Sequence, residues 1–195
     1  MAQQTIYSNG PINGGVSSWQ INQGDVVSDT FTTNGSTPVA ALNFASWVFP
    51  GDTLASASVS ITSSEFGGTT FFNGTVNFTQ SGCSGNQYGF NVCSETGTFG
   101  PVNLAAGNYW VNLSNATLSS GDPVYWDENS GPSSASENTL GTIPSEAFTV
   151  LGASSTSSTT TTTGGGGSVP EPSTFMLLGS GILGVMGVVR RRTMF

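Results

Sequence analysis

The feature that most constrains this chain is an alternation of apolar and polar residues with period two, broken repeatedly by glycine, proline, asparagine and serine. Successive side chains of a strand point to opposite faces, so such alternation builds a sheet with one dry and one wet side. Between residues 54 and 62, Ala55, Ala57, Val59 and Ile61 fall on one side and Ser56, Ser58 and Ser60 on the other. Between 107 and 118, Tyr109, Val111 and Leu113 alternate with Trp110 and Asn112. The same signal marks strands at 4–7, 26–33, 41–49, 69–79, 87–95, 124–127 and 146–151. Pro50-Gly51-Asp52 and Gly121-Asp122-Pro123 read as turns, and Asn73-Gly74 as a hairpin turn or a bulge. Short strands, frequent turns and no fixed repeat predict an all-β, antiparallel β-sandwich over residues 1–152, with a jelly-roll topology preferred. Trp19, Trp47, Trp110, Phe44, Phe49 and Tyr109 are expected in its core.

Charge narrows the partners. Only 7% of residues are charged, against roughly 25% in ordinary soluble domains. There is no lysine and no histidine, and the only cations are Arg190, Arg191 and Arg192. A body without basic side chains cannot displace counterions from phosphates, so nucleic acid is excluded as a partner, and an anionic lipid surface should repel it. The partners left are neutral, such as sugars, or cationic, such as Ca²⁺ or basic proteins. The missing histidine rules out Ser-His-Asp and Cys-His catalysis, and there is no third cysteine to complete a zinc site. Carboxylate pairs drawn from Asp127, Glu128, Glu137 and Glu146 are the remaining route to catalysis, as in glycoside hydrolysis, but no spacing selects one pair. The chain reads as a non-enzyme.

Cys83 and Cys93 are the only cysteines. In an exported chain an even count at short spacing suggests one disulfide, worth about 2–3 kcal/mol; two free buried thiols are the alternative. The start, Met1-Ala2-Gln3-Gln4-Thr5-Ile6-Tyr7, has no basic, apolar leader and reads as an N-terminus just past a small-residue cleavage site. Asn34, Asn73, Asn77, Asn112 and Asn115 open Asn-x-Ser/Thr sequons and mark surface turns and strand faces.

Residues 153–169 are a serine, threonine and glycine tract that cannot bury a core. As a flexible coil it reaches about 20–25 Å. Then come Pro170-Glu171-Pro172, an apolar run at 175–189, and the three arginines. A helix over that run is about 22–24 Å long, short for a ~30 Å hydrocarbon core, so snorkelling arginines and local thinning must make up the difference. The arginines place the C-terminus in the cytoplasm and the β domain outside.

This ordered set (Pro170-Glu171-Pro172, a short apolar helix, Arg190-Arg191-Arg192) resembles the PEP-CTERM sorting signal of exopolysaccharide-producing Gram-negative bacteria. The resemblance implies a chain exported as an inner-membrane-anchored precursor, then processed by an exosortase and released to the cell envelope or the extracellular matrix of a biofilm. It implies an exosortase as partner, and exopolysaccharide as a further one. The segment 121–132 is similar to a stretch in the uncharacterised ectodomains of such proteins.

The densest candidate site is Asp122, Asp127, Glu128 and Asn129 with Tyr125 and Trp126 among them. Its oxygens suit Ca²⁺, though not in an EF-hand spacing. Its aromatics suit a sugar ring, while the plain reading is a polar loop with Trp126 in the core. The expected roles are therefore a non-catalytic surface or matrix protein, a carbohydrate- or Ca²⁺-binding adhesion module, or a self-associating fibre or layer subunit built through strand edges.

Overall fold

The computed structural model describes residues 3–153. The linker from 154 onward, the Pro170–Pro172 motif, the apolar helix at 175–189 and Arg190–Arg192 lie outside the described residues. Every regular element within them is a strand: β1 (Thr5–Ser8), β2 (Ser18–Gln20), β3 (Val26–Thr33), β4 (Val39–Val48), β5 (Leu54–Ser64), β6 (Gly67–Gly85), β7 (Asn91–Val102), β8 (Gly107–Leu118), β9 (Tyr125–Asp127), β10 (Ala135–Glu137), β11 (Gly141–Ile143) and β12 (Phe148–Gly152). All pairings are antiparallel, in the order β1-β12-β4-β7-β6-β5-β8-β3-β10-β11, with β9 bridging β2 and β4.

The long strand β6 links the two parts of the sheet. Residues up to Asn77 pair with β5, and from Phe78 onward the same strand pairs with β7. The apolar faces of both parts contribute to one core, where Tyr7 on β1 packs against Phe31 on β3 (6.4 Å between ring centres) and, within one part, Phe44 on β4 lies edge-on to Phe78 (5.2 Å). Gly97 on β7 makes this contact possible, because a Cβ there would come within 2.6 Å of Phe78 and Val76.

Several sequence expectations are corrected. Asn73-Gly74 is neither a turn nor a bulge; Asn73 pairs with Ser60 and Gly74 with Val59 in unbroken ladder, and the chain reverses instead at Glu65-Phe66, where Phe66 takes a positive φ of 54°. The strand expected at 69–79 therefore runs on to Gly85, and the one expected at 87–95 starts at Asn91 and ends at Val102. Ala55 is exposed although Ala57, Val59 and Ile61 are buried, because the register shifts between Leu54 and Ser56. Asn115, at φ 49°, similarly changes the phase of β8, so burial passes from Leu113 to Ala116. Among the expected core aromatics, Phe44, Trp47 and Tyr109 are buried, Trp19 and Trp110 are half-buried, and Phe49 is 40% exposed beyond the end of β4. Cys83 and Cys93 form a disulfide that ties β6 to β7.

Candidate functional site

Alternation along β9 sends the expected site residues to different places. Trp126 points inward, is fully buried between Phe44 and Phe148, and donates its indole N–H to the Ala147 carbonyl (3.0 Å). It therefore offers no face to a ligand. Asp122 stands apart in the loop before β9, where its backbone carbonyl accepts from the Asn22 carboxamide (2.9 Å). Glu128 accepts from the Trp19 indole at 3.2 Å.

Asp127 is buried and fully engaged. Its carboxylate accepts from the Asn13 N–H (2.7 Å), the Gly14 N–H (2.8 Å) and the Trp47 indole N–H (2.7 Å). Gly14 sits at φ 65° against Val92, where only glycine places its N–H without strain. Asp127 thus clamps the loop between β1 and β2 to the end of β4 and fixes the plane of the Trp47 ring. Burial raises its carboxyl above the usual range, and the three donors pull it back.

Behind this clamp lies an acidic interior. Asp29, Glu95, Glu137 and Glu146 are buried with Asp127, half of the ten acids in residues 3–153. Asp29 accepts from the Glu146 N–H (2.7 Å) and the Thr30 N–H (2.6 Å), and burial raises its carboxyl to about 6. Glu95, in the core with only the Ser46 hydroxyl as donor (2.7 Å), is raised by burial to about 7. Glu146 has no partner for either oxygen; burial pushes it well above the carboxylate range, and Asp29, Glu128 and Asp127 add repulsion. Among the described residues, no three of His, Cys, Asp and Glu are arranged to hold a metal ion.

On the outer side of the clamp is a groove of about 330 Å³ lined by Val16, Ser17, Ser18, Trp47, Tyr88, Phe90 and Tyr125. Tyr125 is the one expected site residue that reaches it. The register sets Tyr125 beside Trp47, and Phe90 stands edge-on to Tyr125 at 5.5 Å. Tyr88 stacks on Trp47 (5.5 Å, 22° between planes) and Phe49 packs on Phe90 at 4.8 Å. The Asn86 carboxamide accepts from the N–H groups of Tyr88 and Phe90, both at 3.0 Å, and closes the turn that carries them. A second, larger cleft of about 560 Å³ runs between residues 8–13 and 129–132, lined by Asn and Ser side chains together with Pro11, Ile12 and Pro132. Tyr88 and Phe90 fall in the segment expected as a strand at 87–95, which begins only at Asn91, so alternation gives no sign that they line a groove; Val16 lies in a loop outside every expected strand.

One comparison bears on the tail. The PEP-CTERM protein-sorting motif matches residues 168–192. The chain carries a PEP-CTERM sorting signal. That signal implies an exported protein, membrane-anchored as a precursor in a Gram-negative bacterium and sorted by an exosortase. The match is confined to the tail and does not extend to the β domain. No curated protein matches the chain.

Proposed function

We propose that this protein is a non-catalytic surface or extracellular-matrix component. Its β domain is displayed on the Ser/Thr/Gly linker, its apolar tail helix holds the precursor in the inner membrane, and an exosortase acts at Pro170-Glu171-Pro172. The single observation that carries this reading is the sorting motif at residues 168–192, directly after a low-complexity tract and an all-β domain. The two parts of the sheet around β6 are read as the layers of a sandwich, since their apolar faces share one core.

The state of the carboxylates supports a non-catalytic role that needs no cofactor. Asp127 is filled by three donors and Glu146 is enclosed, so neither is placed to share a proton with a substrate. The filled Asp127 also argues against the Ca²⁺ reading of the 122–129 segment. Fibre growth through strand edges is disfavoured by the short terminal strands, four residues in β1 and three in β11.

The test is the intact mass of the protein recovered from the envelope and medium of its native host. A species ending near Pro172, without the apolar run and the arginines, is expected. A chain still ending at Phe195 overturns the exosortase step and leaves a plain anchored ectodomain.

A further inference from the structure

We propose that the groove between Tyr88, Phe90 and Tyr125 binds an uncharged saccharide, with sugar rings packed against the aromatic walls. Three features of the groove select this chemistry. Its walls are the Tyr88, Phe90 and Tyr125 rings and Val16, with the buried Trp47 ring behind Tyr88, while the other groups at the groove are hydroxyls and backbone: Ser17, Ser18, the Tyr88 phenol, and the Gly15 and Val16 carbonyls that the phenol reaches. A pyranose has the complementary character, with apolar C–H faces and a rim of hydroxyls that both donate and accept.

The second feature is charge. No lining residue is ionic, and no lysine, arginine or histidine occurs before Arg190. A uronate, phosphate or sulfate sugar would meet no counter-charge, and would lie near the Asp127 carboxylate behind the Trp47 ring. A cationic ligand gains little, because the Asp127 oxygens already accept from Asn13, Gly14 and Trp47.

The third is size and readiness. A volume of about 330 Å³ matches a small-molecule site. The walls are set before any ligand arrives: Asp127 fixes Trp47, and Asn86 fixes the turn bearing Tyr88 and Phe90. By contrast, the Tyr88 hydroxyl reaches the Gly15 and Val16 carbonyls only at 3.4 Å, long for an O–H···O bond. A sugar hydroxyl can replace those contacts at little cost. Tyr88, 52% exposed, is the residue through which the ligand engages.

This proposal rests on the groove and not on the sorting of the tail, so it stands or falls whatever the C-terminal mass turns out to be. The test titrates the full chain by calorimetry and tryptophan fluorescence with hexasaccharides of β-1,4-glucose, β-1,3-glucose, β-1,4-mannose and β-1,4-xylose, and with trigalacturonate as the acidic counterpart. Binding of at least one neutral hexasaccharide with Kd below about 1 mM is expected, with none to trigalacturonate. Tyr88→Ala and Phe90→Ala should each weaken it at least tenfold. Phe71→Ala, on an exposed ring that packs against Tyr109 instead, should leave it unchanged. Unchanged melting of the half-exposed Tyr88 variant separates lost binding from lost fold. The proposal is overturned if no neutral sugar binds, if binding survives Tyr88→Ala, or if trigalacturonate binds as well. It is equally overturned if Tyr88→Ala turns a dimer into a monomer, since a second copy would then occupy the groove.

Discussion

The β5–β8 neighbourhood and the β4–β9–β12 neighbourhood both bury polar side chains, and they satisfy them by different means. Asn112 on β8 donates to Thr62 Oγ1 (2.9 Å) and Ser60 Oγ (3.1 Å), and its Oδ1 accepts from the Phe66 N–H (3.1 Å). Every partner is neutral, so the arrangement does not change with pH. In and around the other neighbourhood buried carboxyls (Asp127 on β9, Glu146 just before β12, Asp29 on β3 and Glu95 on β7) stand among neutral groups such as Ser46 and Asn129, with no basic side chain anywhere in the domain to pair with them. Their burial is tolerated by backbone N–H donors, as at Asp127 and Asp29, or shifts the balance towards the protonated form, as desolvation does at Glu95 and Glu146. Neutral amides make packing a matter of geometry alone, whereas unpaired acids couple it to proton uptake.

The largest effect expected from this contrast is a loss of stability with rising pH. A carboxyl whose value is higher in the folded than in the unfolded chain binds its proton more tightly when folded. Stability is therefore greatest below the unfolded value and falls until pH passes the folded one. For Asp29 the window runs from 3.8 to about 6, and for Glu95 from 4.5 to about 7. Together these two groups should lower stability by on the order of 5 kcal/mol between about pH 4 and pH 8. Thermal unfolding followed by circular dichroism should show a melting temperature lower by on the order of 15 °C at the higher pH. A flat profile would break the comparison outright.

Asp127→Ala should come next, at about 3 kcal/mol, because three donors lose one acceptor; denaturant unfolding measures it, and tryptophan emission should shift red as Trp47 is released. Asn112→Ala should cost about 2 kcal/mol, and by the same amount at pH 4 and pH 8. A pH-dependent cost there would mean that the neutral neighbourhood also feels the acids. Smallest at pH 4, where it should change nothing, is Glu95→Gln, which keeps an acceptor for Ser46 and removes the titration. At pH 8 it should recover Glu95's share of the loss, about 3 kcal/mol, as read from the two denaturation midpoints.

Strand positions were legible wherever alternation ran long: β3 and β8 have the bounds that the pattern predicts, β8 despite the change of phase at Asn115. The three-residue strands β2, β10 and β11 were not, because three residues carry no period. The acidic interior was partly written in the sequence. Asp29 is in phase with Val27 and Phe31, and Glu146 with Phe148 and Val150, so each lies on the apolar side of its strand. Composition drew attention instead to the 122–129 segment, where acids are dense along the chain but diverge in space. The groove was out of reach, since it joins the loop at residue 16, the end of β4, the turn at 86–90 and β9, which only the register brings together.

The position of β12 has a mechanical consequence. It is the last strand before the chain leaves towards the tail, and it lies between β1 and β4. Its exit end, Gly152, pairs with Val39 at the start of β4, while Trp47 and the groove are at the far end of that strand. A tug between a ligand held in the groove and a tether beyond Ala153 would pull β4 and β12 lengthwise past each other. Their hydrogen bonds would then share the load in shear rather than open one by one, and a domain strained that way grips hardest along the line in which it is pulled.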